Sequence, residues 1–184
     1  MNAKFQPTGS AYFIVPDTQN PEQHILSVIV DNEPGILARI AGLFSGRGYN
    51  IDSLTVSETE HEKHLSRITI AVTATPKMHM QIRMQLDRLV PVHRVLDLTA
   101  EGNGLERELA LVKVAGKGEN RVETLRLAEA FRAQVVDATT DSFVFEITGK
   151  SSKIEQFITL MQPLGLVEVV RTGRTAISRG PEGM

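Results

Sequence analysis

The chain contains no cysteine, which excludes disulfides, thiolate nucleophiles and cysteine-ligated metals. A reducing cytoplasm fits that absence. Long apolar runs are missing from the N-terminal stretch "MNAKFQPTGSAYFIVPDTQNPEQ", where Tyr12 to Val15 is closed by Pro16. That run is too short for a signal-peptide core or a membrane span, so no membrane association is expected. Neither sign of charge dominates: 20 Lys+Arg face 22 Asp+Glu. With a pI near 6.2 there is no broad electropositive footprint for a phosphate backbone, and no nucleic-acid partner is expected. A catalytic constellation is lacking too. "GKSSK" resembles half a P-loop, but Val144 stands where its first glycine belongs. The "GKG" at Gly116 and "GNG" at Gly102 have Arg121 and Arg107 in place of a dinucleotide fingerprint's last glycine. No nucleophile elbow and no H-E-x-x-H pair occurs. The five histidines, His24, His61, His64, His79 and His93, are scattered. His61 and His64 share an acidic loop that reads as solvated rather than metal-binding. No catalytic residue and no metal are expected.

What is present is one plan, used twice. Hydrophobic residues make up 41% of 184 residues and charged residues 23%, an ordinary composition for a folded water-soluble chain. Residues 1–23 read as an extension, in which Tyr12 to Val15 could add an edge strand. From His24, "HILSVIV" is a compact strand. A helix over about Pro34 to Arg47 follows, with Ile36, Leu37, Ile40, Leu43 and Phe44 on one stripe at the 3.6 period. "NIDSLTVSE" and "SRITIAVTA" alternate as half-buried strands around the hairpin loop "TEHEKHL". A helix over about Pro76 to Leu89 turns Met78, Ile82, Leu86 and Leu89 inward, and "VHRVLDLT" closes the unit. The first domain is thus 24–99, ordered βαββαβ.

Residues 100–106 are polar and glycine-bearing and read as a linker. The second domain, 107–184, repeats the plan. "ELALVKVA" is a strand, Val122, Leu125, Ala128 and Phe131 stripe a helix, and "AQVVDATT" and "SFVFEITG" pair. Ser152 and Glu155 have the spacing of a capping box for a helix carrying Ile154, Phe157, Ile158 and Met161, and "LVEVVRTG" ends the unit. The expected fold is α+β, with two tandem ferredoxin-like βαββαβ domains. RNA-recognition domains share that plan but stack bases on strand aromatics, and "HILSVIV" and "SRITIAV" carry none.

The turn "DNEPG", Asp31 to Gly35, admits two readings. As helix punctuation, Asn32 is an N-cap and Pro34 occupies the first turn, where a missing amide hydrogen costs nothing. As a site, Gly35 lets a ligand approach the backbone, and the free amides of the first helical turn suit a carboxylate. The Asn32 amide can accept from an ammonium group while its NH2 donates. Asn50, beyond the helix, supplies another such amide, and Gly48 reads as the helix C′ residue with Gly46 loosening the last turn.

The pattern Asn32-x-Pro34-Gly35, an amphipathic helix, then Gly48-Tyr49-Asn50-Ile51 resembles the ACT domain, a ferredoxin-like module that binds amino acids. The runs "LARIAGLFSGRGYNIDSLTV", "LSRITI", "LDRLVPVHRVLDLT", "ERELALVKV" and "VVRTG…SRG" extend the resemblance over about Ile25 to Gly180. They are similar to the small regulatory subunit of acetohydroxyacid synthase, also called acetolactate synthase. The resemblance implies a non-catalytic partner of a large catalytic subunit that holds thiamine diphosphate, Mg and FAD, with no cofactor in this chain. The chain itself has no Gly-Asp-Gly stretch of the kind thiamine-diphosphate enzymes use. It further implies activation of the large subunit and feedback inhibition by a branched-chain amino acid, usually valine, held at a homodimer interface. Asn32 and Gly35 match the family's effector turn, and Asn50 matches the asparagine contributed by the neighbouring subunit. Ile36, Leu37 and Ile51 flank them as candidate pocket residues. The N-terminal extension departs from the family. A free-standing ACT-domain sensor acting on another partner is the alternative.

Overall fold

Each half of the chain folds as an antiparallel sheet with two helices, four-stranded in the first half and five-stranded in the second. The structure is a computed structural model, and it describes residues 20–60, 64–99, 102 and 104–184. The proposed edge strand Tyr12 to Val15 and His61 lie outside those residues. In the first unit the order is β1 (Glu22–Asp31), α1 (Ile36–Ser45), β2 (Ser53–Glu60), β3 (Leu65–Ala74), α2 (Pro76–Leu86) and β4 (Val92–Asp97). The strands lie in the order β2-β3-β1-β4. Register follows the period-2 pattern: Leu26 faces Ile70 and Val28 faces Ile68, which puts alternate β-branched and leucine side chains under the helices. These residues join Ile36, Ile40, Phe44, Ile82 and Leu86 in one core, and Met78 and Leu89 pack at its rim as the α2 stripe predicts.

The second unit comprises β5 (Gly104–Ala115), α3 (Glu119–Ala130), β6 (Gln134–Ala138), β7 (Ser142–Gly149), α4 (Ser151–Met161) and β8 (Leu166–Arg171), in strand order β6-β7-β5-β8. Its core is built on Val112, Phe145, Phe157 and Met161. The first three residues of β5 fall in the stretch read as linker, where Gly104 to Arg107 pair with an unforeseen strand, β9 (Thr175–Ser178). Through β9 the chain returns to the first unit, and Ala176 packs with Ile25 and Leu98. Beside it, the Thr55 hydroxyl donates to the Arg174 carbonyl at 2.9 Å and the Arg174 amide donates to Ser53 Oγ at 3.3 Å. The second unit thereby covers part of the sheet face that the helices of the first leave bare.

Three local expectations are corrected. Helix α3 does not bury Val122 and Leu125, which are 52% and 39% exposed; Thr124 and Ala128 take the inner positions. Small side chains there allow close approach of the helix, and Arg121 lies 3.8 Å from the centre of the Phe143 ring. The Ser152–Glu155 capping box does not form. Helix α4 starts at Ser151, with no side-chain cap, and Glu155 instead accepts from Arg171 Nη1 at 2.9 Å. Helix α1 starts at Ile36, and Gly35 rather than Asn32 is its N-cap.

Candidate functional site

The turn Asp31 to Gly35 is anchored on both sides. The Asp31 amide donates to the Pro91 carbonyl at 2.9 Å, and the Asn32 amide donates to the His64 carbonyl at 2.7 Å. Pro34 disfavours helical backbone at Glu33, so the helix cannot begin at Asn32. The chain passes instead through a left-handed Gly35, at φ +91°, and only then enters α1. A Cβ on Gly35 would meet nothing within 4 Å, so the residue faces open space. Asn32 is thus released from capping, and its exposed side chain flanks the helix mouth.

The first amides of any α-helix lack partners within the helix. Among the described residues, the Ile36 amide makes a 3.3 Å bond back to the Glu33 carbonyl, and no acidic side chain occupies the first turn of α1. Glu33 itself pairs with Arg39 at 3.3 Å. The helix end keeps its partial positive charge, a setting that favours a carboxylate. On the strand side, His93 Nε2 lies 2.7 Å from Asp31 Oδ1.

The candidate residues do not gather in one place. Asn32, Gly35 and Leu37, the last 41% exposed, sit at the start of α1. Ile36 points into the core at 6% exposure. Asn50 and Ile51 follow the other end. There the Gly48 amide donates to Ser45 and the Tyr49 amide to Phe44, the two bonds of a Schellman ending with Gly48 at C′. Asn50 is exposed, with its Nδ2 3.3 Å from Asp52 Oδ1, and Ile51 packs at the rim of the core. The ten residues of α1 span about 15 Å at 1.5 Å each, so the two groups are separated along one chain.

Two family models match the chain. One, described as an AHAS small subunit-like ACT domain, covers residues 26–94; the other, the small subunit of acetolactate synthase, covers residues 107–180. The chain belongs to the small subunits of acetolactate synthase. It is 46% identical over 158 residues to the acetolactate synthase small subunit of Aquifex aeolicus, covering 85% of this chain and 81% of that one. With that of Mycobacterium leprae it shares 44% over 161 residues, 88% and 94% of the two chains. The crystal structure of the Thermotoga maritima small subunit superposes with a TM-score of 0.78 at 38% identity, over 88% of this chain and 99% of that one. As a small subunit the chain is not the catalytic component, and a large catalytic subunit is its partner. No helix among the described residues is long and apolar enough to cross a membrane.

Elsewhere, two groupings of ionisable side chains stand out. Glu108, 5% exposed, receives Arg171 Nε at 2.7 Å, Arg171 Nη2 at 2.9 Å and the Ser151 hydroxyl at 2.6 Å, binding α4 to β5 and β8. Burial alone would raise its pKa, but Arg171 and Ser151 outweigh burial and hold it below the usual carboxylate range. The other grouping, His24, His79 and Asp97, lies at the start of β1, the first turn of α2 and the end of β4. It is at the opposite end of the first unit from Asn32, and sequence spacing gives no hint of it. Burial and then the neighbouring His79 lower the His24 pKa. Burial would raise that of Asp97, yet His79 and the Thr99 amide bring it well below the carboxylate range.

Proposed function

We propose that this small subunit activates its catalytic partner and confers feedback inhibition by a branched-chain amino acid, with valine the leading candidate. The observation that carries the reading is the turn at Gly35: an exposed left-handed glycine, an exposed Asn32 side chain and a first helical turn free of acidic side chains. A free amino acid offers a carboxylate for the helix amides and an ammonium for the Asn32 carbonyl oxygen. Leu37 and the rim residue Ile51 supply apolar contact for its side chain, whereas Ile36, turned into the core, contributes its backbone.

Because about 15 Å of helix separates Asn32 from Asn50 in one protomer, a ligand the size of valine meets both only across a two-fold homodimer. Each dimer would then hold two equivalent sites. Thiamine diphosphate, Mg2+ and FAD belong in this reading to the catalytic subunit, and the complex works in the cytoplasm. The test is to express the chain with the catalytic subunit of the same organism, isolate the complex and measure acetolactate formation with and without valine, leucine and isoleucine. Higher turnover in the complex and its suppression by a branched-chain amino acid are expected. A stable complex whose rate no branched-chain amino acid alters would overturn the effector assignment.

A further inference from the structure

The grouping of His24, His79 and Asp97 has the donor atoms and spacing of a metal site. His24 Nδ1 lies 3.5 Å and His79 Nε2 3.0 Å from the same carboxylate oxygen, Asp97 Oδ2, and the three donor atoms all fall within 4.8 Å of one another. Two ligands on a tetrahedral zinc ion, with bonds near 2.05 Å, stand about 3.3 Å apart. The two measured separations bracket that value.

The surroundings point the same way. Both imidazoles are 13% exposed in their side chains and the carboxylate 2%, so the donors sit in a small shielded recess. Both nitrogens of His24 and Nε2 of His79 are shielded from solvent, and Asp97 Oδ2 faces them. The rings stack at 3.9 Å between centroids and 11° between planes, so the imidazoles must turn for their nitrogens to converge on one ion. The carboxylate is already oriented from behind, because the Thr99 amide donates to Asp97 Oδ1 at 2.8 Å and the Thr99 hydroxyl accepts from the Ile25 amide at 2.7 Å. Such outer-shell bonds fix a metal-ligating carboxylate.

We propose that His24, His79 and Asp97 form a binding site for a borderline divalent cation, Zn2+ in the first instance. Two imidazoles and one carboxylate suit zinc or cobalt rather than magnesium or calcium, which take oxygen ligands. Three protein ligands leave a fourth position for water. Bound there, the ion ties the first turn of α2 to the adjoining ends of β1 and β4.

Metal-free full-length protein is titrated with Zn2+ in competition with a chromophoric chelator, and with Co2+ followed by its visible spectrum. One equivalent per chain, with tetrahedral cobalt bands, is expected. His24→Gln and His79→Gln should each weaken zinc by at least about 100-fold, the upper end of what loss of an outer-shell partner costs. His93→Gln, which alters the exposed pair with Asp31, should leave binding unchanged. Should a variant misfold, imidazole NMR of the wild-type protein replaces it: zinc should move the His24 and His79 resonances together at one equivalent. Absence of saturable binding, binding that survives both substitutions, or ring shifts confined to other histidines would overturn the site.

Discussion

Replacing Gly35 with aspartate separates helix punctuation from ligand binding, because the structure fixes what the substitution costs the fold. An L-residue at φ +91° pays about 1–2 kcal/mol for left-handed backbone. The new Cβ meets nothing within 4 Å, so no repacking is added. Against a typical stability of about 5–15 kcal/mol the chain remains folded. The cost to an effector is larger. A carboxylate held by two amides of the first turn loses hydrogen bonds worth about 1.5–3 kcal/mol each. That is about 3–6 kcal/mol together, or ~10²- to 10⁴-fold in Kd at 1.4 kcal/mol per decade. Repulsion from the new carboxylate adds to the loss. Gly35→Ala pays the same backbone cost without the charge, so it should retain at least about tenfold more affinity than Gly35→Asp. Calorimetric titration of both purified variants with valine, alongside inhibition assays of the assembled enzyme, supplies the numbers. Affinity of the aspartate variant within threefold of wild type, in a chain folded by circular dichroism, would refute the reasoning. Equal losses in the two variants would place the effect in backbone strain instead of charge.

Three further outcomes are expected. Asn32→Ala and Asn50→Ala chains, each unable to bind valine alone, should regain half of the sites in their mixed dimers, about a quarter of all sites in an equimolar mixture at random exchange, because one site of each mixed dimer carries both lesions and the other none; calorimetry after confirmed subunit exchange measures it. The Glu108–Arg171 pair ties stability to pH: with the folded pKa of Glu108 below its unfolded value near 4.5, its contribution is fully present above that value and is lost as pH falls through the folded pKa. Urea midpoints from pH 7 to 3 should therefore fall less steeply in Glu108→Gln, while Arg171→Met, which strands a buried carboxylate, should cost about 3–5 kcal/mol at pH 7. Gly165→Ala should destabilise the second unit by about 3 kcal/mol in thermal unfolding, since φ there is +105° and a Cβ would fall on the Ala115 carbonyl.

The sheets were legible because strand alternation is local: Leu26, Val28 and Val30, or Ile68, Ile70 and Val72, declare a face without knowledge of their partners. The α3 stripe held at Ala128 and Phe131 and failed at Val122 and Leu125 for the complementary reason. Val122 and Leu125 have helical spacing, but which face turns inward depends on clearance beneath the helix, and Thr124 and Ala128 fit where larger side chains do not. Asn32 misled as a cap because Glu33, which precedes Pro34, resists helical backbone, so the helix starts at Ile36 with Gly35 as its N-cap. The displacement bears on the candidate site, since an asparagine used as a cap would have its side chain committed to the helix. Strand β9 has too few residues to show a period, and it forms because Thr175 to Ser178 pair with Gly104 to Arg107 of β5 while Ala176 packs on Ile25 and Leu98 of the first unit. The same holds for His24, His79 and Asp97, which no spacing rule connects and which only the closing of β1, β4 and α2 assembles. Local signals thus sufficed for the elements of the repeated plan and for the glycine turn. Features assembled across elements needed the fold, and they lie where the two units meet and where the first unit closes on itself.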